Sequence, residues 1–237
     1  MRPNSVEFQQ SANAKLRLAI DPGHFPAAVC GSYIQTEQGA RWELYGELIG
    51  ERVTTIKFAA MVRDWLTANW PGMSIESAVI DPVAYQPSDR DDELLIADVY
   101  SSVLKIKMRQ AATASWDTML ESMRQPFNSL VDGTPAILLD PSMTVTAEAI
   151  ASRVCFRETA GALEKVISDN VMKPHPWGDC FASLGYMLSS TGYDDLRAFV
   201  RAKRPNVNKS PGPGYVLFAD GYGPNGRGGW QKSEGGW

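Results

Sequence analysis

Two aspartates, Asp21 and Asp81, each close a short apolar run (LRLAID and SIESAVID), and each is followed by a proline. If those runs are strands, both carboxylates stand at strand carboxyl ends, where open α/β sheets bind their ligands. A third acid, Asp179, falls in the first turn of an expected helix within HPWGDCFASLGYML. Carboxylates from two strands and one helix start could meet in one pocket. Hard oxygen ligands of this kind select Mg²⁺ or Mn²⁺ over zinc. Two such ions roughly 4 Å apart activate a water and stabilise a leaving oxygen in phosphodiester cleavage. Crowded carboxylates repel one another without a cation, so such a cluster implies the ion. A plainer reading stays open beside this one. Asp before Pro commonly turns back on its own backbone, and Asp at a helix start is commonly a cap. Asp140, in LLDPS, has the same look and competes for the role.

The elements that must position these acids follow from periodicity and punctuation. Strands are expected over Leu16–Asp21, Ala28–Gln35 and Arg41–Ile49, the last two joined as a hairpin around TEQG. Thr54–Asn69 carries a helical stripe (Ile56, Ala59, Ala60, Val62, Trp65, Leu66) that Pro71-Gly72 ends. A strand over Ser74–Asp81 follows, then a helix over Asp91–Leu104 opened by acids that suit its N-terminus. A short strand is expected over Ile106–Ala111 and a helix over Ser115–Val131 with Ser115 as N-cap. Then come a strand over Pro135–Asp140, a short helix over Ala147–Val154, a hairpin within Arg153–Ile167, and a last helix over Pro176–Ser190. The order β-β-β-α-β-α-β-α-β-α predicts an α/β fold, a mixed central sheet flanked by helices with an extra β-hairpin.

Composition bounds the rest. The 237 residues carry 44% hydrophobic and 21% charged side chains, which places the chain among globular proteins and excludes a wholly disordered or fibrous one. No apolar run approaches a membrane span. The three cysteines lack CxxC spacing and only two histidines are present, which argues against a zinc site or disulfide scaffold and for a reducing compartment. The net charge of −4 hides an asymmetry. From Arg197 onward, seven basic residues face two acids, five net positive charges, which leaves nine net negative charges on residues 1–196. The end of the chain is dense in Gly, Pro, Ser and Asn. Residues 1–11 are therefore expected to be a flexible leader, 12–204 the folded domain and 205–237 a mostly flexible tail.

Several other residues invite a role. Lys105, Lys107 and Arg109 alternate, so on a strand they would share one face and could track phosphates. Arg197, Arg201 and Arg204 recur at helical spacing and could extend such a contact. A solvated basic edge explains both sets equally well. Glu47 could support a metal ligand from behind. Cys180, beside Asp179, reads as a small buried residue, because no histidine and third orienting group stand in a nucleophile arrangement with it.

One segment narrows these alternatives. The run IDPGHFPAAV, Ile20–Val29, resembles the opening motif of the nuclease domain of tailed-phage terminase large subunits. SAVIDP (Ser77–Pro82) resembles that family's second acidic strand, PAILLDP (Pro135–Pro141) its later strand, and the helix after His175-Pro176 its final element. The resemblance covers about residues 16–192. It implies a ribonuclease H-like fold and cleavage of concatemeric double-stranded viral DNA during genome packaging, with little base specificity, by divalent metal held on three acids. On that resemblance Asp21 would bridge two Mg²⁺ or Mn²⁺ ions, Asp81 and Asp179 would each help hold one, and His175 could orient a water or phosphate. Relatives end in an acid-Ala-Leu-x-Tyr pattern. Here Ala182-Ser183-Leu184-Gly185-Tyr186 fills that register with Ala at the acid position, and Asp179, three residues earlier on nearly the same helix face, is the replacement. No GxxxxGK[ST] occurs, so the chain is expected to be the nuclease domain alone, without ATP hydrolysis. The implied partners are double-stranded DNA, the terminase ATPase domain, the small terminase subunit and the portal of the procapsid, in the host cell cytoplasm and with no membrane. Two other readings remain: a ribonuclease H-like junction resolvase or phosphotransferase, and a non-catalytic module that docks the motor on the portal.

Overall fold

The computed structural model describes residues 14–87, 95–156, 171–172 and 174–203, with side chains to 154 and from 174 to 191. Its first three strands are β1 (Leu16–Asp21), β2 (Ala27–Thr36) and β3 (Gly39–Ile49). Helix α1 (Thr55–Asn69) leads to β4 (Ile75–Ile80), a 3₁₀ turn at Pro82–Tyr85, helix α2 (Ile96–Leu104) and β5 (Arg109–Gln110). Helix α3 (Trp116–Asn128), a small ladder of β6 (Leu130–Val131) with β7 (Thr134–Pro135), and β8 (Ile137–Leu139) follow. The described chain ends with α4 (Thr144–Glu148), β9 (Cys155–Phe156), β10 (Val171–Met172) and the long helix α5 (Trp177–Lys203). By compactness the chain divides at residue 198, and of the second part, 199–237, only the helical backbone to Lys203 is described.

Six strands form one sheet in the order β5-β4-β1-β2-β3-β8. Only β2 runs against its neighbours; the β1–β4, β4–β5 and β3–β8 pairs are parallel. Strict alternation along β1 sends Leu16, Leu18 and Ile20 into one core and Ala19 into the other. The first core packs α1 and α2 on the sheet through Phe58, Val62, Tyr100 and Leu104. The second packs α3, α4 and α5 through Met119, Met123, Ala147, Phe181 and Leu184. Among the described residues no helix is long and apolar enough to cross a membrane.

The mixed sheet flanked by helices bears out the expected fold class, and local differences have physical causes. Thr54 caps α1 rather than opening it, its side chain accepting from the Lys57 N–H at 3.4 Å. The expected strand over Ile106–Ala111 shrinks to Arg109–Gln110. Lys105 sits left-handed (φ 57°) at the end of α2, and both backbone groups of Met108 are taken by side chains, its N–H by Ser101 Oγ at 3.1 Å and its carbonyl by the Tyr85 hydroxyl at 2.8 Å. Lys105, Lys107 and Arg109 therefore do not line one strand face. The helix from Ser115 stops at Asn128, because Asp132 and Gly133 (φ 54° and 73°) turn a tight hairpin, a conformation Asp-Gly favours. Ser115 holds the cap position without a side-chain cap bond. The short helix near 147 is instead α4 running into a single π turn over Ala149–Arg153. Helix α2 begins at Ile96, and the acids Asp91, Asp92 and Glu93 lie outside the described residues. The extra hairpin exists as β9 against β10, with Phe156 opposite Val171, set wider than expected.

A β-bulge ties β2 to β3. Cys30 opposes Gly46 and Gly31 opposes Leu44, which leaves Tyr45 as the extra residue. A Cβ on Gly31 would meet the Glu43 carbonyl oxygen and stand 2.9 Å from Leu44 Cα, backbone atoms that no rotamer can move aside. Gly31→Ala should cost about 1–3 kcal/mol and lower Tm by several degrees in a chain of this size. A calorimetric scan showing an unchanged Tm would contradict the close approach.

Candidate active site

Asp21 is the last residue of β1, and Asp81 immediately follows β4. These strands are parallel neighbours, with Ile20 paired to Ile80 and the Asp81 N–H donating to the Ile20 carbonyl at 3.2 Å. Ala19 and Val79 lie in the α5-side core, so residues two further along, Asp21 and Asp81, project to that same face. Backbones of neighbouring strands run about 4.8 Å apart. The two half-buried carboxylates are therefore adjacent, as the strand–Asp–Pro reading expects. Asp81 also starts the 3₁₀ turn, its Oδ1 accepting from the Val83 N–H at 2.7 Å. Turn-former and site residue coincide here.

Helix α5 closes the site. The Tyr186 hydroxyl donates to Asp81 Oδ2, and the phenol is 4% exposed. Burial first, then the Asp21 charge, then the bond to Asp81 push the Tyr186 pKa far above its ordinary value, so it stays a donor. Tyr100, on the opposite side of the sheet, is pushed up by burial and then by Asp21. Tyr186 was visible in the sequence only as part of the last helix's pattern. A hydroxyl aimed at a carboxylate leaves no periodic trace.

Asp179 stands two turns before Tyr186 and is 13% exposed at its side chain. His175 Nδ1 lies 2.6 Å from its Oδ2, and the imidazole stacks on Phe25 with ring centroids 4.4 Å apart. Burial raises the Asp179 pKa, and the His175 hydrogen bond and charge oppose that. Phe25 belongs to the loop that Asp21 opens, so Asp179 and His175 border the same mouth. Among the described residues, no three His, Cys, Asp or Glu side chains gather closely enough to hold one ion. Adjacency is thus shown for Asp21 and Asp81, while Asp179 is held by His175 at the start of α5.

The remaining candidates separate. Glu47 lies on β3 opposite Val29, facing α5, but its oxygens are occupied: Oε1 by the Val145 N–H at 2.8 Å, Oε2 by the Thr146 N–H at 2.7 Å and hydroxyl at 2.6 Å. Asp140 is a turn residue whose Oδ1 accepts from Ser142 N–H (2.9 Å) and Oγ (2.6 Å); it follows β8, three strands from β1 and so roughly 14 Å away. Arg109 donates to Ser77 Oγ and pairs with Val79, two residues before Asp81. Lys105 and Lys107 are exposed. The side chains of Arg197 and Arg201, and Arg204 altogether, lie outside the described residues. Cys180 is fully buried and its thiol pKa is driven up by burial first, then by the nearby Glu47 and Asp179 charges, which fits a packed residue and not a nucleophile.

In sequence, no known family pattern and no curated protein matches the chain. In structure, the large terminase of a thermophilic bacteriophage, in complex with ATP-γ-S, aligns with a TM-score of 0.55 at 12% identity, over 79% of this chain and 43% of that one. A further crystal of the same phage protein gives 0.54 at 12% identity, over 79% and 42%. The nuclease domain of the P22 large terminase gives 0.53 at 14% identity, over 80% of this chain and 85% of that domain. The fold is that of a large terminase nuclease domain. It is the ribonuclease H-like arrangement, with β2 as the one reversed strand of the six-stranded sheet and α5 lying along the β1 face, from Ser183 beside Ala27 to Thr191 beside Arg17. The chain spans under half of the thermophilic phage's protein but most of the P22 domain.

Tyr186 makes the nuclease-type fold locally testable. Tyr186→Phe keeps the ring and removes only the donor to Asp81. It should cost about 1.5–3 kcal/mol, the range for a hydrogen bond to a charged group, read as a lower urea midpoint with an unchanged m-value.

Proposed function

We propose that this chain is a divalent-metal-dependent endonuclease that cuts double-stranded viral DNA during genome packaging. The observation that carries the proposal is the pair Asp21 and Asp81, set side by side at the carboxyl ends of adjoining parallel strands, beneath Tyr186, in a terminase nuclease fold. The donor set fits a hard cation: Mg²⁺ binds through one or two carboxylates and fills its shell with waters and phosphate oxygens. Asp21 and Asp81 would hold the metal jointly, Asp21 shared between two Mg²⁺ or Mn²⁺ ions, with Asp179 holding the second. Metal held there would supply an activated water and offset charge on the leaving oxygen.

The protein's own groups do the positioning. The Tyr186 hydroxyl fixes the Asp81 carboxylate, and the Val83 N–H fixes its other oxygen. His175, stacked on Phe25, holds Asp179 through Nδ1, and its other ring nitrogen would orient a water or phosphate. Arg109, with the exposed Lys105 and Lys107 and with Arg197, Arg201 and Arg204, would contact phosphates, giving cleavage with little base specificity. On this reading the partners would be the ATPase domain, small subunit and portal of a packaging motor, in the host cell cytoplasm. Residues 12–204 would form the folded domain, and 205–237 a tail.

One observation favours a non-catalytic docking module instead: the three acids do not form one closed ligand group as they stand. Supercoiled plasmid incubated with Mn²⁺ separates the two. Wild type should nick and linearise it, EDTA should stop the reaction, and Asp21→Asn should reduce it to the level of the no-enzyme control with an unchanged Tm. Full activity in Asp21→Asn would overturn the assignment. Absence of both Mn²⁺ binding and nicking in the wild type would establish the module, and preference for a branched duplex would mark a junction resolvase.

A further inference from the structure

Three described residues other than glycine have a left-handed backbone, a conformation that crowds any side chain. Two have local reasons. Lys105 ends α2, and Asp132 turns the β6–β7 hairpin together with Gly133. Arg52 (φ 50°) has neither reason: it lies in the bend between β3 and α1, two residues before the Thr54 cap. Hydrogen bonds and packing hold that bend in place. The Gly50 N–H donates to the Pro26 carbonyl at 2.8 Å and the Arg52 N–H to the His24 carbonyl at 2.9 Å. These bonds carry the β2–β3 pairing past Ala27 and Ile49 into the loop that follows Asp21. A Cβ on Gly50 would stand 2.7 Å from a Val53 methyl, 2.8 Å from the Phe58 ring and 2.9 Å from Pro26, so the bend has no slack. Strained residues that their surroundings over-determine cluster at ligand-binding sites.

The bend lies at the right end of the sheet. His24 is three residues from Asp21, at most about 11 Å between Cα atoms. Arg52 is exposed, and among the described residues it makes no ion pair. Other cations are engaged or remote. Arg153 pairs with Glu148 at 3.3 Å and covers the ring of Trp177 at the start of α5. Lys105 and Lys107 flank Leu104 and Ile106, which border the same cavity as Leu16 and Ile75, the first residues of β1 and β4. That end of β1 is roughly 17 Å from Asp21 along the strand.

We propose that Arg52 holds a DNA backbone phosphate beside the one cut at Asp21 and Asp81. This rests on the nuclease reading and gives it a substrate contact on the acidic part of the chain, where residues 1–196 carry nine net negative charges. A guanidinium matches a phosphate with two parallel hydrogen bonds, and a backbone fixed beforehand loses little freedom on binding.

Plasmid nicking at saturating Mn²⁺ tests this, followed over a range of plasmid concentrations from about 50 to about 200 mM salt. Arg52→Gln should raise KM severalfold, leave kcat near wild type, and flatten the slope of log KM against log salt by about 0.9, the share of one phosphate. Arg52→Lys keeps the charge and should restore the slope. Arg52→Gly removes both the charge and the crowding, so it should show the Gln defect with a Tm at or above wild type. Mn²⁺ affinity, read from the electron paramagnetic resonance signal of the free ion, should be unchanged in all three. A wild-type KM and slope in Arg52→Gln would overturn the contact, as would equal loss of slope in the Gln and Lys variants, weakened Mn²⁺ binding, or a lowered Tm in Arg52→Gly. If the wild type does not nick, the nuclease reading falls by itself, and the same slope read from duplex binding by fluorescence anisotropy still decides the role of Arg52.

Discussion

Two like charges held side by side set the terms for the rest of the molecule. Parallel pairing of β1 with β4 puts Asp21 and Asp81 at the same level on one face, and in a half-buried place their repulsion is little screened. The fold answers with donors. Val83 and Tyr186 each give a proton to Asp81, and the phenol is kept protonated by burial and by the acids it faces. Hydrogen bonding to a carboxylate favours its charged form. These donors fix the Asp81 carboxylate where it stands beside Asp21.

Helix α5 carries that answer, and its composition follows from where it lies. From Cys180 to Thr191 every residue is buried, so the helix touches protein all round and cannot be amphipathic in the ordinary way. Close packing on several sides calls for small residues, and Ala182, Ser183, Gly185, Ser189, Ser190 and Thr191 supply them. At Gly185 a Cβ would come within 2.7 Å of Met119 Sδ on α3. The hydroxyls serve a second purpose. Ser183 reaches β2, Ser190 accepts from the Ala112 N–H at 3.1 Å, and Thr191 accepts from Arg17 at 2.7 Å. Arg17 in turn pairs with Glu76 of β4 at 3.0 Å and lies over the rings of Tyr33 and Trp42. The helix is fixed at both ends of the sheet, so Tyr186 meets Asp81 without adjustment.

The sheet and its two strand-end acids were legible because alternation and length are local properties: LRLAID and SIESAVID show the period and the stop in six to eight residues. Asp179 was legible as a helix-start acid, but its attachment to His175 and Phe25 depends on how a loop and a helix meet. Glu47 read as a possible support behind a metal ligand, because nothing within β3 reveals that α4, about a hundred residues later, begins on it. The Lys105–Arg109 alternation misled for a related reason. Met108 gives its backbone to Ser101 and Tyr85, and side-chain competition of that kind overrides a period read from four or five residues.

The charge distribution also gains a meaning. Residues 1–196 carry nine net negative charges and the remainder five net positive ones. A phosphodiester approaching Asp21 and Asp81 meets repulsion unless a divalent ion has already converted that point of the surface to positive. On the nuclease reading, acidity is then a gate: without metal the site rejects its own substrate, and with metal the same carboxylates become the anchor for phosphate. Affinity for DNA away from that point would come from the basic residues that begin at Arg197, and would fall with salt.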